Sequence, residues 1–106
     1  MTLLQSMQSI QLPTELGFRS IRDIRTVLME AFDSAGGVLL DIPADAEIDL
    51  SFLQLVHSAR AHAEKSGKLV ALRAPLSADQ QTTMMRAGIS PSRSTEDALF
   101  WLHERS

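Results

Sequence analysis

Two short apolar runs, VLLDI at residues 38–42 and LVAL at 69–72, each follow an amphipathic stretch and a glycine, and each is soon stopped by a proline. This repetition limits the fold more than any other feature of the chain. Short apolar runs without alternation read as strands covered on both faces. A helix between two such strands is a crossover, and a right-handed crossover sets them parallel in one sheet.

The amphipathic stretches support that reading. Ile21, Ile24, Leu28, Ala31 and Phe32 recur at helical spacing, with Arg19, Arg22, Arg25 and Glu30 mostly on the other face. Gly36-Gly37 then permits a left-handed cap. A second helix is expected from about Ser51 to Ser66, with Phe52, Leu55, Val56, Ala59 and Ala63 inward and Gly67 as its stop. Ser77-Ala78-Asp79-Gln80 matches a capping box and opens a third helix that ends at Gly88. A fourth runs from about Thr95 to Glu104, and residues 3–12, with Leu3, Met7 and Ile10, suit one or two short strands. Leu39, Val70 and Leu72 are the expected core, with Ile24 and Leu28 packed onto the sheet.

Composition narrows function mainly by exclusion. A chain of 106 residues fits one domain, residues 1–106. A net charge of −3 gives no basic footprint for nucleic acid. No apolar run reaches the ~20 residues of a membrane span, so the chain is not expected to be membrane-inserted. The first residues, MTLLQSMQSIQLP, lack the basic region and apolar core of a signal peptide, and a cytoplasmic location follows as an expectation. The absence of cysteine removes thiolate nucleophiles and cysteine zinc sites.

Catalytic patterns are missing as well. Gly67-Lys68 lacks the upstream glycine and the following Ser or Thr of a phosphate loop. Gly36-Gly37 stands between a helix and a strand, the wrong order for a dinucleotide fingerprint. His57 and His62, five residues apart, point about 140° apart on a helix and do not chelate one ion. His103, near a helix C-terminus, is explained by the dipole there, and Met84 and Met85 by core and near-core filling. No catalytic residue, metal or cofactor is expected, and the chain does not read as an enzyme.

The path from IQLPTELGFRSIRDIRTVLMEAF through GGVLLDIPADAEIDLSFLQLVHSARAHAEKSGKLVAL to LSADQQTTMMRAGI resembles a STAS domain, the fold of bacterial anti-sigma factor antagonists and of sulfate-transporter tails. The resemblance spans roughly residues 7–89. It rests on a strand ending in Asp41, a short loop, Asp49 at the next helix, a glycine, and an LVAL strand followed by a helix ending in Gly-Ile. It implies an α/β fold with a mixed, mostly parallel sheet of four to five strands and helices packed mainly on one side.

In that family the residue directly after the aspartate is phosphorylated, in sequences of the type Asp-Ser-Ser-Gly. Here the segment is Asp49-Leu50-Ser51-Phe52. Leu50 holds the acceptor position without a hydroxyl, and Phe52 replaces the glycine. Ser51 is a displaced phosphoacceptor candidate, or a helix cap worth about 1 kcal/mol. Either Asp49 or Ser51 can accept from the first amides of the helix. Asp49, Leu50, Ser51 and Phe52 together are the expected partner-binding residues, although the helical phase of Phe52 fits the core equally well.

The resemblance implies a non-enzymatic bacterial signalling adaptor that binds a regulatory protein, an anti-sigma factor or a chemotaxis-type histidine kinase, through the loop and helix starting at Asp49. The alternative it carries is a cytoplasmic STAS subunit of a membrane transport assembly, of the lipid-trafficking ABC or sulfate type, clamped to a transporter subunit. A homodimer is compatible with either.

Overall fold

The computed structural model describes residues 7–17 and 19–104. Leu3, included in the expected N-terminal strand region, lies outside them. The chain runs β1 (Met7–Gln11), β2 (Glu15–Leu16), α1 (Ile21–Ser34), β3 (Gly37–Asp41), β4 (Glu47–Ile48), α2 (Leu50–Ser66), β5 (Leu69–Leu72), α3 (Ala78–Arg86) and α4 (Thr95–Leu102). This is an α/β architecture.

Among the described residues the main sheet has three strands in the order β1-β3-β5, all parallel, and β2 and β4 form a separate two-residue parallel pair. The expected mostly parallel character holds, while the expected four to five strands are corrected to a three-strand sheet and a detached ribbon. The prolines explain the split. Strand β1 pairs with β3 in the register Met7↔Gly37 to Gln11↔Asp41. Extended by two residues, that register sets Pro13 opposite Pro43, and neither has an N–H to give the ladder. Leu12 N–H still reaches Asp41 O at 2.9 Å, and contact resumes when Glu47 N–H meets Thr14 O at 2.8 Å.

In a parallel ladder, residues in register share a face. Ile10, Val38, Leu40 and Leu72 line the covered face and are buried there. Helix α1 lies on β3 and α2 on β5, and the two helices also touch each other. Ile24, Leu28, Ala31 and Phe32 of α1 are buried, as are Phe52, Leu53, Val56, Ala59 and Ala63 of α2.

The other face is open. Arg73 donates to Ser9 Oγ at 2.7 Å and approaches Asp41 at 3.6 Å across it. Leu39 points to this side and is only partly buried, and Val70 stays partly exposed because β5 is an edge strand. These strands are thus sealed on one face, not both, and Leu39 and Val70 sit at the margin of the core.

Two glycine positions decide local geometry. Gly67 (φ 68°) ends α2 in the left-handed region, with Lys68 N–H closing onto Ala63 O at 2.8 Å. Gly37 has a different role from the one its sequence context suggests. Helix α1 is capped by Ala35 in extended backbone, and the positive-φ glycines are Gly67 and Gly88 among the described residues. At Gly37 a Cβ would lie 2.7 Å from the Leu69 carbonyl oxygen, so the strand requires a bare Cα there.

The C-terminal helix packs beside the β5 edge. Leu76 N–H donates to Trp101 O at 2.9 Å, and Arg60 of α2 pairs with the shielded Asp97 at 3.0 Å. The same guanidinium lies 4.3 Å from the centroid of Phe100. His103 is the left-handed cap of α4 (φ 55°), and its Nε2 sits 3.0 Å from Leu72 O. The histidine thus covers an edge carbonyl of β5, a contact beyond the simple dipole role expected for it.

Because the Gly37 contact is with backbone, the neighbour cannot rotate away. Gly37→Ala is expected to lower stability by about 1–3 kcal/mol in urea unfolding, the range for an overpacked site.

Candidate functional site

Pro43 ends β3 and opens the connector that leads to Asp49. This connector is held from across the fold by Gln80, a side chain only 3% exposed. Its amide nitrogen donates to Pro43 O at 2.8 Å and to Ala46 O at 3.1 Å. Its Oε1 accepts Ser77 N–H at 3.0 Å, and Ser77 Oγ in turn accepts Gln80 N–H at 3.3 Å. The capping box read from the sequence is therefore present, and one of its members also fixes the approach to α2.

Asp49 is the N-cap of α2. Its backbone is extended, and Oδ1 accepts Phe52 N–H at 3.0 Å. Gly17 lies against the carboxylate, where an added Cβ would come 3.0 Å from Oδ2. The capping role open to either Asp49 or Ser51 thus falls to Asp49. Ser51 is the second residue of the helix, and its hydroxyl caps nothing among the described residues.

With the cap fixed at Asp49, the next three side chains diverge, since successive residues turn ~100° about the helix axis. Leu50 is 46% exposed, whereas Phe52 is 0% exposed and belongs to the core. Of the two readings open to Phe52, the core one fits this burial. Ser51 is half-buried and faces a cleft between α1 and α2, lined also by Arg25, Met29, Leu55 and His62. Leu50 faces the other way, into a cleft of about 220 Å³ lined by Leu53, His57, Met84, Ile89, Arg93 and Trp101. Asp49 borders a third, shallow cleft with Glu15, Arg19 and Glu47. The four sequence neighbours therefore serve four environments.

The two helix histidines separate in the same manner, His57 lining the Leu50 cleft and His62 standing 5.2 Å from the Phe32 ring. Met84 is buried and Met85 exposed, so only the first fills the core. Sequence reasoning missed Leu53, Ile89, Arg93 and Trp101 as walls of this site. Their separation along the chain leaves no local pattern, and Leu53 was displaced by Leu55 in the assumed inner stripe.

Among the described residues there is no group of three or more His, Asp or Glu side chains placed to hold a metal. The arrangement is a helix start with a satisfied cap, an exposed leucine at the first turn, and an adjoining cleft with an apolar floor and a charged rim. No protein-family model, curated protein or solved structure matches this chain.

Two substitutions separate the cap from its neighbour. Asp49→Ala should cost about 1 kcal/mol, the usual loss for a capping carboxylate. Ser51→Ala should stay within about 0.5 kcal/mol of the parent in the same denaturation series. In a third variant, Gln80→Leu, the buried connector carbonyls lose their donor, and a loss of about 1–3 kcal/mol is expected.

Proposed function

We propose that this chain is a cytoplasmic, non-catalytic signalling adaptor of STAS-like type, which docks a regulatory protein of the anti-sigma-factor or histidine-kinase class through the Leu50 side of α2. The observation that supports it best is Leu50 itself. A large apolar side chain is held in solvent at the first turn of a well-capped helix, next to a cleft with an apolar floor. Exposed apolar surface beside a concavity is a common mark of an interaction site.

The partner-switching cycle of the resembled family uses a hydroxyl where this chain has Leu50. A phosphate there would meet free amides and the positive end of the helix dipole, but leucine accepts none. Docking that does not depend on that modification fits the residue present, with control resting on the state of the partner. Ser51 carries a hydroxyl one position later. It faces the α1 side, away from Leu50, so a phosphate on it would lie outside the proposed docking cleft.

Leu50→Asp tests this reading because it alters the surface and spares the core. An acidic residue is welcome in the first turn of a helix, so the melting temperature should stay within about 4 °C of the parent, well under the shift of a 1 kcal/mol loss at the upper end for a small domain. Affinity capture from the native host should retain the regulator with the parent protein and lose it with the variant. Retention by both would place docking elsewhere. Intact-mass analysis of the protein isolated from that host should show no phosphate, and a stoichiometric phosphate at Ser51 would restore a displaced switch.

A further inference from the structure

A cleft of about 650 Å³ between β5, α2 and α4 carries Arg60 and Lys68 together with Glu64 and Glu96. Its mixed signs select no partner. The smaller cleft beside Leu50 differs in this respect. Its lining includes Arg60 and Arg93 and a single acid, Asp97, with His57 on the rim, in a chain whose net charge is −3.

That single acid is already engaged. Asp97 takes Arg60 at 3.0 Å through Oδ1 and Arg93 at 3.5 Å through Oδ2. Arg60 is held down further by its position over Phe100. Arg93 is different: its side chain is 69% exposed, and its approach to Asp97 is the looser one, 3.5 Å from Nε to Oδ2. Below this rim the floor is apolar, formed by Leu53, Met84 and Trp101, which are buried, with Leu50 and Ile89 at its sides.

We infer that this cleft receives an acidic segment of the partner, inserting one or two apolar side chains between Leu50, Ile89 and Trp101 while its carboxylates meet Arg93. The inference rests on the docking role proposed above for Leu50 and adds the chemistry of what docks. Apolar anchors supply contact area in such a site, and the rim charge supplies sign selectivity and rate of encounter. A guanidinium as exposed as that of Arg93 is suited to bind a carboxylate. A basic segment would meet Arg93 and Arg60 as like charges.

The test uses two synthetic peptides of one length, each with leucine anchors, flanked by glutamates in one and by lysines in the other. They are titrated into the isotope-labelled protein and followed by amide and indole NMR shifts. The glutamate peptide should give saturable shifts at Leu50, Ile89, Arg93 and the Trp101 indole, at least about tenfold tighter than the lysine peptide, and should weaken as salt rises. Arg93→Gln should weaken the glutamate peptide several-fold, and Arg93→Glu should remove its advantage, with folding checked by the unchanged dispersion of both spectra. Equal binding of the two peptides, tighter binding of the lysine peptide, shifts confined to another face, or no binding by either would each overturn the inference. If the native regulator is lost with Leu50→Asp yet unaffected by Arg93→Glu, docking at Leu50 stands and the acidic chemistry fails.

Discussion

One hydrogen bond sets the orientation of the long helix and, through it, the character of the surface. The Asp49 carboxylate accepts the Phe52 amide at 3.0 Å and so decides that α2 begins at Leu50. A start displaced by one residue would change which amides need a partner, and each residue of displacement corresponds to ~100° around the axis. With this start, Phe52, Leu53, Val56, Ala59 and Ala63 face the sheet and Leu50 faces out. Asp49 thus has a structural role as the cap of the helix.

The cap depends on support from both sides. Gln80 holds the connector carbonyls that precede it, and Gly17 leaves room for the carboxylate. No buried side-chain nitrogen or oxygen among the described residues lacks a hydrogen-bond partner, as a well-specified interior requires. Helix α4 closes the assembly through Asp97, which ties Arg60 of α2 to Arg93 of the preceding loop. The cleft beside Leu50 is the seam where α2, α3 and α4 meet, so its walls are fixed by contacts whose first role is to hold the fold.

Much of this was legible in the sequence. The helical periodicities, the Ser77–Gln80 capping box and the Gly67 stop are local signals, and local signals survive without tertiary knowledge. What escaped was relational. Pro43 was visible as a stop, but only the strand register sets Pro13 opposite it and splits the sheet. Gly37 looked like part of a helix cap and is instead a site of close strand approach. Ser51 and Asp49 were equivalent as cap candidates, and the choice needed the connector held by Gln80. Phe52 satisfied both the core and the surface reading until the helix phase was fixed. Arg93, Ile89 and Trp101 come together with Leu50 only through the packing of distant segments.

The surface around Leu50 depends on the phase of the first turn of α2, and side-chain exposure measures that phase directly. With a soluble, inert paramagnetic agent added to the labelled protein, the Leu50 methyl signals should broaden strongly, while the Leu53 methyls and the Phe52 ring protons stay sharp. Strong broadening of Phe52 with protection of Leu50 would mean that α2 starts elsewhere and presents a different face, and the docking surface proposed above would not exist.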